Sequence, residues 1–165
     1  MTRKYPITIA AAVVVAGAAV VIPNSSGQVS TLPDTLTLEM RHREAKVAFV
    51  DEPPRMRTRR SSESPGDTAI ARGRLRSRAG VPAGQVHSEF VVTGGRSPRT
   101  SEQVTGTFVL RDGQIAIHGV LPNTPGIDKD VIPIVGGTGR YNGATGSAEI
   151  VSGRRAVTFT LRFTR

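Results

Sequence analysis

Three groups of residues in this chain have types suited to chemistry: glycines clustered behind an apolar run, three histidines, and carboxylates that border apolar stretches. The glycines stand in "PIVGGTGRYNGATGSAEI", residues 133–150, where they follow apolar residues much as a phosphate-cradling loop does. The spacing Gly137-x-Gly139-x-x-x-Gly143 is not the dinucleotide fingerprint, and no Lys-Ser/Thr pair follows as in a P-loop. Both motifs work by aiming the amides of a helix N-terminus at phosphate. Here Gly143, Gly146 and Gly153 break any helix, and "SAEIV" has strand character. The glycines are therefore expected to make a chain reversal and a close strand approach. His42, His87 and His118 lie far apart with no metal-ligand spacing, so no metal site is expected. There is no cysteine, hence no disulfide and no thiolate chemistry, and no Ser-His-Asp order stands out.

Strands must position whatever chemistry there is. Residues alternate with period two along most of the chain, as in "RRAVTFTLRFTR", where Val157, Phe159, Leu161 and Phe163 share one face. Eight such runs are expected: 35–51 (long and bent), 68–76, 85–93, 102–111, 114–121, 130–136, 146–152 and 155–164. Asp112-Gly113 marks a two-residue hairpin, and Ser152-Gly153 another turn. Eight antiparallel strands either stack as two sheets or close into a barrel, and closure removes both exposed edges. An eight-stranded barrel holds side chains or one small ligand. The charged, proline-rich stretch 51–67 is too long for an ordinary turn.

The 165 residues suit one domain, and the absence of Trp with 18 Gly and 11 Pro fits short strands and tight turns. Arg3 and Lys4, then an apolar run from Ile7 to Ile22 and a polar tail, describe a secretory signal peptide over residues 1–27, itself helical. An uncleaved anchor is the alternative, since the run is only slightly short of the roughly 17–25 residues that span a membrane. Residues 28–34 form a linker, 35–165 the barrel domain, and a secreted, extracellular protein is expected.

The stretch 132–150 resembles the signature of the dirigent and allene oxide cyclase superfamily: an apolar strand, then Gly136-Gly137-Thr138-Gly139, the aromatic Tyr141, and Ala144-Thr145-Gly146 before the next strand. "GDTAIARGRL" (66–75), "LRDGQIAIHG" (110–119) and "VTFTLRF" (157–163) extend the resemblance over most of residues 36–165. It implies an all-β, eight-stranded antiparallel barrel that binds an apolar small molecule. Such a barrel guides cyclisation or isomerisation without any cofactor, by holding a flexible chain in one shape. It also implies site residues, Asp51 and Glu52 as the acids nearest the family's first-strand carboxylate. The expected ligand contacts are Phe108, Tyr141, Asp67 and His118, the last as the pocket's polar handle if it points inward, with a surface or satisfied core place as its plainer reading. Solvated pairing of Asp51 and Glu52 with Arg55 or Arg57 is the plainer reading of those acids, and a turn role the plainer one for Asp67. Where plant cyclases carry a water-binding Asn, this chain has Gly73, so allene oxide cyclase activity itself is not expected.

The formal charge is +9, concentrated at 41–46, 54–60 and 72–78. Few aromatics, no recognition motif and an export signal argue against specific nucleic-acid binding. An anionic cell-envelope polymer suits an exported basic domain better, and self-association stays open. The rival to a ligand-binding barrel is a non-catalytic envelope or extracellular domain with a side-chain-filled interior.

Overall fold

The structure, a computed structural model, describes residues 32–50, 64–96, 99–123 and 128–164. Its elements are β1 (Thr35–Arg41), a 3-10 turn (His42–Glu44), β2 (Ala45–Val50), β3 (Thr68–Ser77), β4 (Pro82–Arg96), β5 (Arg99–Leu110), β6 (Gly113–Asn123), β7 (Lys129–Gly139), β8 (Thr145–Ser152) and β9 (Ala156–Thr164). They form one antiparallel sheet in the order β1-β9-β8-β7-β6-β5-β4-β3-β2. Strand β1 also pairs with β3, at Leu38↔Ser77 and Glu39↔Arg76, so eight strands close into a barrel and β2 is one extra. The expected signal helix lies outside the described residues, and of the expected linker Leu32 packs against the core.

The long first run is thus two strands with a corner between them. Strand β1 pairs with β9 from Thr35↔Arg162 to Arg41↔Ala156, and β2 continues along β3 from Ala45↔Gly73 to Val50↔Thr68. A fork from Arg76 holds the corner, with Nη2 donating to Glu44 Oε1 at 2.8 Å and Nε to Oε2 at 3.3 Å. The His42 ring meets the Gly153 carbonyl at 2.8 Å, pinning the corner to the β8–β9 turn.

Period-two alternation decides what lies inside. Leu38, Leu75, Val86, Val104, Phe108, Ile115, Ile132 and Leu161 are each at most 3% exposed. Across the interior the rings of Phe108 and Phe159 meet edge to face, 5.2 Å apart. A Cβ on Gly73 would run into the Met40 thioether, so Met40 fills the space over this glycine.

Two local details differ from the expected pattern. The pair Leu110↔Gly113 makes Arg111 and Asp112 the two turn residues, one step earlier than Asp112-Gly113. Gly113 instead opens β6 at φ 147°, where a Cβ would strike the Thr138 backbone. The β6–β7 ladder runs only from Gly113↔Gly139 to Ile117↔Ile134, with a register shift between Ala116 and Ile117, and it stops next to Pro133. Proline has no N–H to give, so β7 bonds to β8 there and leaves the β6 side open.

Two outcomes follow from this packing. Phe108→Ala, at a side chain with no exposure, should cost about 3–5 kcal/mol in urea denaturation. The Arg76 fork holds the Glu44 carboxyl below its ordinary 4.5, so its contribution is full above that value and is lost as pH falls through the folded value. Glu44→Gln should therefore lower the thermal midpoint at neutral pH, with the deficit closing in acid.

Candidate functional site

Antiparallel wrapping gathers one set of strand ends at one rim: the starts of β3, β5, β7 and β9 with the ends of β4, β6 and β8. The inner phase of β7 reads Asp130, Ile132, Ile134, of which the two isoleucines are buried. Asp130 is therefore carried on the barrel's inner face at this rim, directly opposite Ile150 of β8. Burial pushes its carboxyl above the ordinary 3.8. The inner phase of β5 likewise carries Thr100 and Glu102 ahead of Val104, with Glu102 between Val92 and Leu121 on the neighbouring strands. Phe90, Leu121 and Ile150 surround this end as partly buried apolar groups. An acid held among apolar side chains at a rim is suited to donating a proton or a hydrogen bond.

Among the described residues, those expected from sequence do not assemble into one site. Asp51 and Glu52 lie outside the described residues, one and two places beyond Val50, which pairs with Thr68 at the same rim. Asp67 makes a turn: its Oδ2 accepts from the Ser64 amide at 2.7 Å and from the Ser64 hydroxyl at 3.2 Å. Phe108 sits at the centre of the packed interior. Tyr141 belongs to the opposite end, in the β7–β8 connection, where it stacks on Phe163 at 6.1 Å and burial raises its pKa.

His118 is exposed on the outer wall, with Nδ1 3.2 Å from the Thr105 hydroxyl, so it does not line the interior. Its neighbours Ile115 and Ile117 hold the inner phase. Among the described residues no group of three His, Asp or Glu could hold a metal.

The glycine stretch also resolves. Gly136–Gly139 extend β7 alongside β6, and the reversal follows at 140–144, with Tyr141, Asn142 and Ala144 amides bonding back to Thr138, Gly139 and Tyr141 carbonyls. A strand, β8, comes next, so nothing aims amides at a phosphate.

Asp130 and Glu102 escaped the reading of the sequence, although "DVIPIVG" contains the signal. Alternation sets Asp130 in phase with Ile132 and Ile134.

No family model matches the sequence, and no curated protein matches it. Solved structures do. A pyocyanin demethylase superposes with a TM-score of 0.66 at 21% identity, over 79% of this chain and 99% of its own. The Diels-Alderase AbmU from Streptomyces koyangensis gives 0.60 at 18%, over 79% of this chain and 65% of that one. The pterocarpan synthase dirigent protein GePTS1 gives 0.58 at 14%, over 78% and 81%. The fold is the dirigent and allene oxide cyclase-like barrel.

The raised Asp130 pKa has a consequence for stability. Ionising a carboxyl whose folded value is raised costs folding free energy, a cost absent below the ordinary 3.8 and complete above the folded value. Asp130→Asn should therefore gain stability relative to the parent as pH rises from acid to neutral, measured by urea denaturation across that range. A pH-independent difference would contradict the burial of this acid.

Proposed function

We propose that the rim around Asp130 receives an apolar small molecule and guides its cyclisation without a cofactor. The observation that carries this reading is a carboxylic acid on the inner face, in phase with buried Ile132 and Ile134 and opposite Ile150. The apolar surround restricts a flexible substrate to a few shapes, which can supply much of the barrier reduction. Asp130, retaining its proton more readily than an ordinary carboxyl, would donate to an oxygen where charge develops. A cyclisation of this kind is an isomerisation, so atoms balance with no co-reactant. The names of the structural neighbours, a cyclising Diels-Alderase and a pterocarpan synthase among them, support small-molecule chemistry in this fold. The pyocyanin demethylase among them is a reminder that one barrel hosts several reactions. Export through residues 1–27 belongs to this proposal, as do Asp51 and Glu52 as further acids and an anionic envelope polymer as a partner of the basic surface.

One observation favours a second reading. Phe108 and Phe159 meet edge to face across the interior and Met40 lies over Gly73, which suits a barrel filled by its own side chains with no catalytic role.

A substrate carrying a conjugated diene and a carbonyl-activated alkene on one flexible chain separates the two, with products resolved by chiral chromatography. Guided cyclisation gives one stereoisomer in excess, and Asp130→Asn should slow it by about a hundredfold, the usual scale for a positioned acid. Racemic product at the uncatalysed rate would sustain the packed-barrel reading. Equal turnover by Asp130→Asn would take this acid out of the mechanism.

A further inference from the structure

A groove of about 500 Å³ lies on the outer wall, over β2, β3, β4 and β5, and no part of the proposed function uses it. Its floor comes from two cross-strand rows set by the register. One row runs Lys46↔Arg72↔His87↔Thr107. The next runs Ala48↔Ile70↔Glu89↔Thr105. All are out of phase with the buried Leu75, Val86, Val104 and Phe108, so they belong to the outer face.

The two rows differ in character. Directly opposed side chains sit roughly 5 Å apart, so Lys46, Arg72 and His87 present three nitrogen-bearing groups along a line of about 10 Å. Among the described residues none of the three makes a hydrogen bond or an ion pair. Some other cations on this barrel are engaged: Arg76 by Glu44, and Lys129 and Arg162 by Glu149. Beside this cationic row Ile70 is 51% exposed, a large apolar side chain left in water next to Ala48.

We propose that this groove binds a small planar acid, an apolar ring system bearing one anionic group. The guanidinium of Arg72 supplies a fork for two oxygens, and Lys46 adds a point charge. The ring system covers Ile70 and Ala48, removing apolar surface from water. Glu89, on β4, follows Ile70 in the apolar row and repels an anion from it. The anionic group is thereby directed to the Lys46–Arg72 end, and the net charge of the groove, Lys46 and Arg72 against Glu89, remains positive. The volume falls within the range of small-molecule sites, about 300–1,000 Å³.

A matched pair of fluorescent probes tests the proposal. 1-Anilinonaphthalene-8-sulfonate and N-phenyl-1-naphthylamine share one apolar body and differ by the sulfonate. The sulfonate probe should bind the full chain at least about tenfold more tightly, as one charge-assisted pair implies. Arg72→Gln and Lys46→Gln should each weaken it about tenfold, while leaving the neutral probe and the thermal midpoint unchanged. Asp130→Asn should leave the sulfonate probe unaffected, which separates this groove from the rim. Equal affinity for the two probes in the parent protein would overturn the proposal even if a variant failed to fold. So would loss of the sulfonate probe in Asp130→Asn. Avid sedimentation with phosphatidylglycerol vesicles, with no binding of the free probe, would instead make this wall a membrane-facing surface and overturn it as well.

Discussion

The structure depends on one closure: β1 pairs with β9 along one side and with β3 along the other. Without the contacts Leu38↔Ser77 and Glu39↔Arg76 the sheet would be an open ribbon with two long edges. Closing it turns the two phases of every strand into an inside and an outside. Leu38, at the closing pair, is 1% exposed and lies at the seam where β1 meets both β3 and β9. The corner at His42–Glu44 is part of the same solution. Strand β1 leaves β9 once β9 runs out at Ala156, and the chain turns to follow β3 upward as β2.

A closed ladder of this size has little room, and that accounts for the glycines better than any ligand does. Gly146 takes φ 140° where a Cβ would meet the Arg162 backbone of β9. Gly137 lies against the Gln114 and Tyr141 carbonyls, so β6, β7 and the following reversal approach too closely for any side chain. Tyr141, folded over that end against Phe163, is the plug that such an approach allows. The same crowding fills the middle of the barrel with Phe108 and Phe159. Polar inner-phase positions are consequently left to the opposite rim, where Glu102 and Asp130 lie beyond the point at which the β6–β7 ladder stops, Ile117↔Ile134.

Much of this could be read from period two alone. Seven of the expected runs, from 68–76 to 155–164, coincide with β3 to β9 within a few residues, because one-sided burial writes itself as alternation. The turn at Asp112-Gly113 was displaced by one place, since a positive-φ glycine serves a strand start under a close neighbour as well as a turn centre. His118 was legible as outward from Ile115 and Ile117, and Asp130 as inward from Ile132 and Ile134. Both needed the phase to be applied to the polar residues as strictly as to the apolar ones. The acids that the resemblance implies, Asp51 and Glu52, lie outside the described residues.

What no linear reading could supply is register. Lys46, Arg72, His87 and Thr107 come from four separate segments, and only the pairings β2–β3, β3–β4 and β4–β5 bring them into line. Sliding any one of these strands by a single residue would send its side chain to the interior and break the row. The same pairings hold the inner phase in place: Gly73 faces in beside Arg72, and Val86 beside His87. The outer cationic row and the apolar interior are therefore two readings of one register, fixed by burial on the inside. An outward charge cluster in this position costs the core nothing, because the hydrophobic phase alone already determines which residues meet.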